Sequence, residues 1–215
     1  MSSKVENDTY WKERKADDTR KDWADDAPWI EGYYNSRTHP HRQLIIDAIK
    51  RIDAVQVYPV NSVLEIGCSC APNLIRIHQE FPSIHLAGID VNEDAVRCGH
   101  DRIIAADVRI GNAKNIPHPD QSFDIVLSDA TFLYISPQEI DSVMNEIRRI
   151  ARKGVILVEW DSKSPEGTIK NFHWARDYKK LLEQKGFKVE KRKITKEDWP
   201  NESWSTHGYM YSATR

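Results

Sequence analysis

Short apolar runs alternating with amphipathic stretches constrain this chain more than any other feature of it. The first run, Val63-Leu64-Glu65-Ile66, stops at Gly67, and a helical pattern follows over about residues 72–81. Residues 84–90 are a second run, trailed by a helical pattern over 92–102, and Val108-Arg109-Ile110 is a short third. Residues 123–128 and 154–160 are a fourth and a fifth, with a helix expected over 137–151 between them. Buried strands read as continuous apolar residues, whereas helices repeat every three or four, so the period separates the two. Strands alternating with helices predict a largely parallel, doubly wound α/β sheet, because parallel neighbours need a crossover between them.

Both flanks extend this pattern. Ahead of the first strand, Leu44, Ile45, Ala48, Ile49 and Ile52 fall on one face of a helix beginning at Pro40. After the fifth strand, an amphipathic helix is expected over 171–185, with Gly186 in the position that ends helices. Residues 187–194 and 208–213 read as two closing strands with no helix between them, so one of the pair should run antiparallel. Residues 40–215 are therefore expected to form one domain. Residues 4–26 are crowded with charges of both signs and carry Tyr10, Trp11 and Trp23. Solvated charge alone would not need those aromatic rings, so residues 1–39 are expected to be a helical lid leaning on the domain.

Composition narrows the function. The formal charge of this 215-residue chain is −2, which provides no basic field for nucleic acid. No apolar run approaches bilayer length and no hydrophobic signal core opens the chain, so a cytoplasmic location is expected. Cys68, Cys70 and Cys98 are an odd number without a second ligand pair, so reduced thiols are expected rather than disulfides or a metal centre.

In an open parallel sheet, ligands bind outside the carboxyl ends of the strands where the strand order reverses. Three segments should converge there. Glu65-Ile66-Gly67-Cys68-Ser69-Cys70-Ala71 brings small residues after the first strand, as a backbone passing close to a ligand requires, although a tight turn without ligand reads the same way. Asp90 ends the second strand and can accept both hydroxyls of a ribose; the competing role is capping the next helix, which Asn92 could also do. Asn112 follows the third strand with Ala113 beside it, suited to an adenine edge or to stabilising a turn. Asp124 reads as a strand-entry residue rather than a ligand contact.

The order VLEIGCSCAPNL, GIDVN and GNAKNIPHPDQSFDIVLSDATFLYI resembles the motifs of class I S-adenosylmethionine-dependent methyltransferases, particularly the small type 11 domains, over roughly residues 42–195. The resemblance implies a Rossmann-like seven-stranded sheet with an antiparallel C-terminal strand. It also implies S-adenosyl-L-methionine as methyl donor and S-adenosyl-L-homocysteine as product. By the same carry-over, Glu65 and Gly67 lie near the methionine part, Asp90 at the ribose, Asn112 and Ala113 at the adenine, and Ser128 and Asp129 beneath the sulfonium; Cys68, Ser69 and Val91 are further cofactor-binding candidates. Family members usually have glycine where this chain has Ser69 and Ala71, and often Asp where it has Asn112. A nicotinamide dehydrogenase would want the full glycine signature, which is missing.

For the acceptor, Ser128-Asp129-Ala130-Thr131 stands where base-methylating enzymes carry an Asn/Asp-Pro-Pro-aromatic tetrapeptide, and no carboxylate cluster suggests a metal-dependent catechol enzyme. A metal-independent transfer to an oxygen or nitrogen of a small molecule is therefore expected. Protein or peptide methylation and a non-catalytic donor-binding module are the alternatives. Tyr134, His41 and His39 are the candidate catalytic residues; the two histidines could equally be exposed at the start of a helix. Tyr33, Tyr34, Trp160, His173 and Trp174 are candidate wall residues, and His118 reads as a surface residue.

Overall fold

The computed structural model describes residues 7–18, 28–164, 167–170 and 173–215; Trp23 and other parts of the expected lid lie outside them. The elements run α1 (Asn7–Glu13), α2 (Trp29–Asn35), α3 (His41–Ala54), β1 (Ser62–Ile66), α4 (Pro72–Glu80), β2 (His85–Asp90), α5 (Glu93–Arg102), β3 (Ala106–Ile110) and β4 (Phe123–Asp129). They continue with α6 (Ile140–Ile150), β5 (Ala151–Trp160), β6 (Thr168–Lys170), β7 (His173–Ala175), α7 (Tyr178–Gln184), β8 (Lys188–Lys193), α8 (Glu202–His207) and β9 (Gly208–Thr214).

Seven strands form one sheet in the order β3-β2-β1-β4-β5-β9-β8, with β9 antiparallel to both of its neighbours and the other pairs parallel. The helix periodicity is realised as burial. α3 buries Leu44, Ile45, Ala48, Ile49 and Ile52 in one core layer with Leu74 and Ile77 of α4 and Val96 of α5. α6 buries Ile140, Val143, Met144, Ile147 and Ile150 in the other layer, with Leu181 and Leu182 of α7. Each such side chain removed from water is worth about 1.5–3 kcal/mol, so the two layers fix which face every helix turns to the sheet. β1 lies between β2 and β4, and the strand order reverses there. No helix among the described residues is long and apolar enough to cross a membrane.

Two expectations are corrected. The helix expected from residue 171 begins at Tyr178, where the Asp177 carboxylate accepts the Lys180 N–H at 3.0 Å and sets its start. His173 and Trp174 instead belong to β7, which pairs antiparallel with β6 as a separate two-stranded ribbon. An aromatic pair read as one turn of amphipathic helix is equally compatible with a strand. The two closing strands are also not directly joined: α8 lies between them, capped by Asn201, whose side chain accepts the Trp204 N–H at 3.2 Å. A helix of under two turns shows no readable period. Asp124 enters β4 and is paired with Arg152 at 3.1 Å and Lys153 at 3.2 Å, at the end of the sheet away from the crevice.

Candidate functional site

The loop after β1 bends like a glycine loop although only one glycine stands in it. Gly67 has φ +73°, and a Cβ there would fall 2.1 Å from Thr131 Oγ1. Ser69 (φ 49°) and Ala71 (φ 65°) adopt the same left-handed region despite carrying side chains. That conformation costs roughly 1–2 kcal/mol for a residue with a Cβ, so the surrounding contacts must impose it. Asp90 supplies one: its Oδ2 accepts the Ser69 N–H at 2.8 Å while its Oδ1 accepts the Asn92 N–H at 2.9 Å. Capping of α5 falls to Asn92, which accepts the Ala95 N–H at 2.8 Å, so Asp90 stays with the loop.

These residues border a cleft at the carboxyl ends of β1, β2 and β3. Ile66, Gly67 and Ser69 form one side, Asp90 and Val91 the next, and Gly111, Asn112 and Ala113 the third. Asn112 also has the turn role, its Oδ1 accepting the Lys114 N–H at 2.9 Å. Trp11, Trp29 and Tyr33 of the N-terminal helices close the cleft. Asn92 ties down the first of these helices: its amide donates to the carbonyls of Trp11 at 2.6 Å and Arg14 at 2.7 Å.

A second chamber of about 360 Å³ meets the first at Gly67, Ser69, Asp129, Ala130 and Tyr134. Its floor is a buried polar cluster. Asn73 donates to Glu65 Oε1 at 2.6 Å and to Asp129 Oδ2 at 3.0 Å, while Arg42 bonds Asn73 Oδ1 and lies 3.3 Å from Asp129 Oδ2. His41 Nε2 is 2.9 Å from Asp129 Oδ2 and His41 Nδ1 is 2.5 Å from His39 Nδ1. Because a carboxylate only accepts, the hydrogen-bond network assigns the proton of His41 to Nε2, and His39 Nδ1–H then donates to His41 Nδ1. Burial pushes the Glu65 carboxyl up to about 8, against the pull of the Asn73 hydrogen bond. At Asp129 burial works in the same direction, but His41, Arg42 and Asn73 outweigh it and hold the group down to about 2. Burial lowers His41, outweighing Asp129, and lowers His39 to about 4. Glu65 Oε2, Asp129 Oδ1 and Trp160 Nε1 are buried without a hydrogen-bond partner among the described residues.

Above this floor runs an arc of aromatic rings. Tyr134 meets His173 at 5.0 Å and His173 meets Trp160 at 5.1 Å, both at steep angles. Trp160 crosses Trp204 at 6.0 Å; Trp204 and Trp199 stack at 4.1 Å, and Trp199 stacks on His41 at 3.9 Å. Trp199 and Trp204 escaped the sequence reading because the missed α8 and its approach deliver them. Asn201, an N-cap residue directly after Trp199-Pro200, was the available signal.

Residues 130–135, which border both chambers, are gripped from beneath. Glu159 of β5, fully buried, accepts the N–H groups of Thr131 at 3.0 Å, Phe132 at 2.8 Å and Leu133 at 3.1 Å. Arg176, also fully buried, donates to the Phe132 carbonyl at 2.9 Å and to that of Ile135. Neither residue carried a sequence motif.

Of the residues singled out from the sequence, Gly67, Ser69, Asp90, Val91, Asn112, Ala113, Asp129 and Tyr134 border the first cleft. Glu65, Cys68 and His41 border only the second chamber. Ser128 borders neither; it is fully buried with its hydroxyl toward Glu159 at 3.4 Å, because alternate strand residues face opposite ways. His39 stands behind His41, half-buried against Trp199 at 5.1 Å. Tyr34 lies away from both, its ring covered by Arg102 at 3.8 Å.

Residues 63–154, from β1 into β5, match the family model described as a methyltransferase domain. Over these residues, a little under half of its length, the chain is similar to methyltransferase domains. It is 28% identical over 117 residues to the demethylmenaquinone methyltransferase of Listeria monocytogenes, covering 52% of this chain and 48% of that protein. It is 28% identical over 104 residues to the fatty-acid O-methyltransferase of Mycolicibacterium smegmatis, covering 47% of this chain and 37% of that one. The chain thus spans about half the length of the demethylmenaquinone methyltransferases it matches. Its fold is shared with the plantazolicin methyltransferase solved with S-adenosylhomocysteine (TM-score 0.66, 14% identity, 98% of this chain and 94% of that one). A SAM-dependent methyltransferase from Aquifex aeolicus has the same fold (TM-score 0.62, 15% identity, 86% and 96% covered).

Proposed function

We propose that this chain transfers a methyl group from S-adenosylmethionine to a small molecule, with the donor in the first cleft and the acceptor in the second chamber. The observation that carries this reading is the meeting of the two spaces at Gly67 and Asp129. A displacement needs donor and nucleophile brought together in line with water kept out, and two walled spaces with a common border suit that.

The residues fit the donor. Gly67 brings backbone without a side chain to the border of the cleft, and Asp129 Oδ1, buried without a hydrogen-bond partner among the described residues, keeps a lone pair for an ammonium group. Asp90 is assigned the ribose hydroxyls, with Val91 beside it, and Asn112 and Ala113 the adenine. Gly67, Ser69, Glu65 and Asp129 are assigned the methionine end. When bound, the donor supplies an activated methyl on a sulfonium. The chain's own work is to orient and enclose: Trp11 and Trp29 cover the cleft, and Tyr134 stands at the border. The second chamber's enclosure by Tyr33, Trp160 and Trp204 favours a small acceptor over a peptide.

Calorimetry with S-adenosylhomocysteine and with NAD tests the donor assignment, and a screen for S-adenosylhomocysteine release tests the acceptor. Binding of NAD alone overturns the reading; turnover confined to peptides or RNA overturns the small-molecule part. Tight donor binding with no turnover across the screen would instead mark a regulatory module.

A further inference from the structure

The second chamber holds more information than its place beside the donor cleft. Six rings, Tyr134, His173, Trp160, Trp204, Trp199 and His41, follow one another around it at centroid separations of 3.9–6.0 Å. Neighbours cross at steep angles over the first half of the arc, so faces as well as edges turn toward the enclosed space. Beneath it lie Glu65, Asp129 and Arg42; with the Glu65 carboxyl raised to about 8 by burial, Asp129 and Arg42 balance and the floor adds no positive charge near pH 7. Aromatic faces beside such a floor hold cations. Trp160 adds a buried indole N–H with no partner among the described residues, which calls for an oxygen on whatever binds. Both ring nitrogens of His41 are engaged, by Asp129 and by His39, so His41 is not set up to take a proton from a hydroxyl.

We propose that the second chamber binds a small amine carrying an oxygen function, and that the reaction is N-methylation. This rests on the methyltransferase reading above. An amine has to arrive deprotonated, whereas a hydroxyl needs a base beside it. The cation that the arc favours is therefore the methylated ammonium rather than the incoming amine. The nitrogen lone pair forms the C–N bond as the C–S bond breaks, and the electron pair of the broken bond stays on sulfur. Positive charge passes from sulfur to nitrogen, and the new ammonium then gives a proton to water. The charge therefore arrives inside the aromatic arc, which stabilises it there.

The test uses choline and 3,3-dimethyl-1-butanol, which share shape and hydroxyl and differ in charge. Each is titrated into the full chain, with and without S-adenosylhomocysteine, and followed by tryptophan fluorescence and calorimetry. Choline is expected to bind at least fivefold more tightly. Trp160→Leu should bring the ratio toward one while the circular dichroism spectrum is kept; should that variant not fold, the wild-type ratio decides. Equal affinities, preference for the neutral alcohol, or binding of neither overturns the proposal. The same titrations report S-adenosylhomocysteine binding independently, and its absence would sink the donor assignment while the choline ratio is still read.

Discussion

Nε2 of His41 lies 2.9 Å from Oδ2 of Asp129, and the two share a buried corner with Arg42, Asn73 and Glu65. The pair is a neutral imidazole on a carboxylate, because burial and the Arg42 charge outweigh the pull of Asp129 on the ring. His39, bonded to its other face, is lowered from the ordinary 6.5 to about 4 by burial first and then by His41 and Arg42, with Asp129 opposing. A depressed folded value means that the unfolded chain takes up protons first. The stability tied to His39 is therefore fully present above pH 6.5 and is lost as pH falls toward 4. Glu65 and Glu159, both raised to about 8, slope the opposite way, so the prediction is a difference. Urea unfolding of wild type and His39→Gln at pH 7 and 4.5 should show the variant losing about 1 kcal/mol less, after discounting the exposed part of the ring. Parallel losses would contradict it.

Asp90 uses both carboxylate oxygens on backbone N–H groups of two loops, and each oxygen keeps a further lone pair toward the cleft. Asp90→Ala should weaken S-adenosylhomocysteine binding by more than tenfold in calorimetry while circular dichroism reports an intact fold. Unchanged affinity would remove Asp90 from the donor site.

Gly67 and Ala71 both hold left-handed backbone, with opposite consequences for substitution. Gly67→Ala drives a methyl into Thr131 and should unfold at markedly lower temperature; adding Thr131→Ala should recover only part, since Thr131 Cβ itself is 2.8 Å from the new atom. Ala71→Gly relieves a strain of roughly 1–2 kcal/mol at the cost of about 0.5–1 kcal/mol of chain entropy, so thermal unfolding should show a gain of up to about 1.5 kcal/mol. A loss of stability in Ala71→Gly would show that the methyl packs better than the conformation costs.

Glu159 accepts three N–H groups from the turn that presents Tyr134 to both chambers. Glu159→Ala leaves those donors buried and unpaired, and about 3 kcal/mol of stability should be lost in urea unfolding. Glu159→Gln keeps one accepting oxygen and should lose less. Equal losses would mean that side-chain volume, not hydrogen bonding, holds the turn.

The sequence by itself determined the layered sheet, because strand and helix periods follow from backbone geometry and need no knowledge of neighbours. It also determined which loops meet, since the carboxyl ends of β1, β2, β3 and β4 lie together in any sheet wound this way. Gly67, Asp90, Asn112 and Asp129 were legible for that reason. Only the tertiary structure decided what surrounds them. Glu159, Arg176, Arg42 and Asn73 act through partners 8 to 87 positions away in the chain, and no local period records such a pairing. Trp199 and Trp204 reach the second chamber through a helix too short to leave a pattern, and Ser128 turns away from the cleft by the pleat of its strand. The local code sets where a ligand can bind; long-range packing sets the charge and shape of the space it enters.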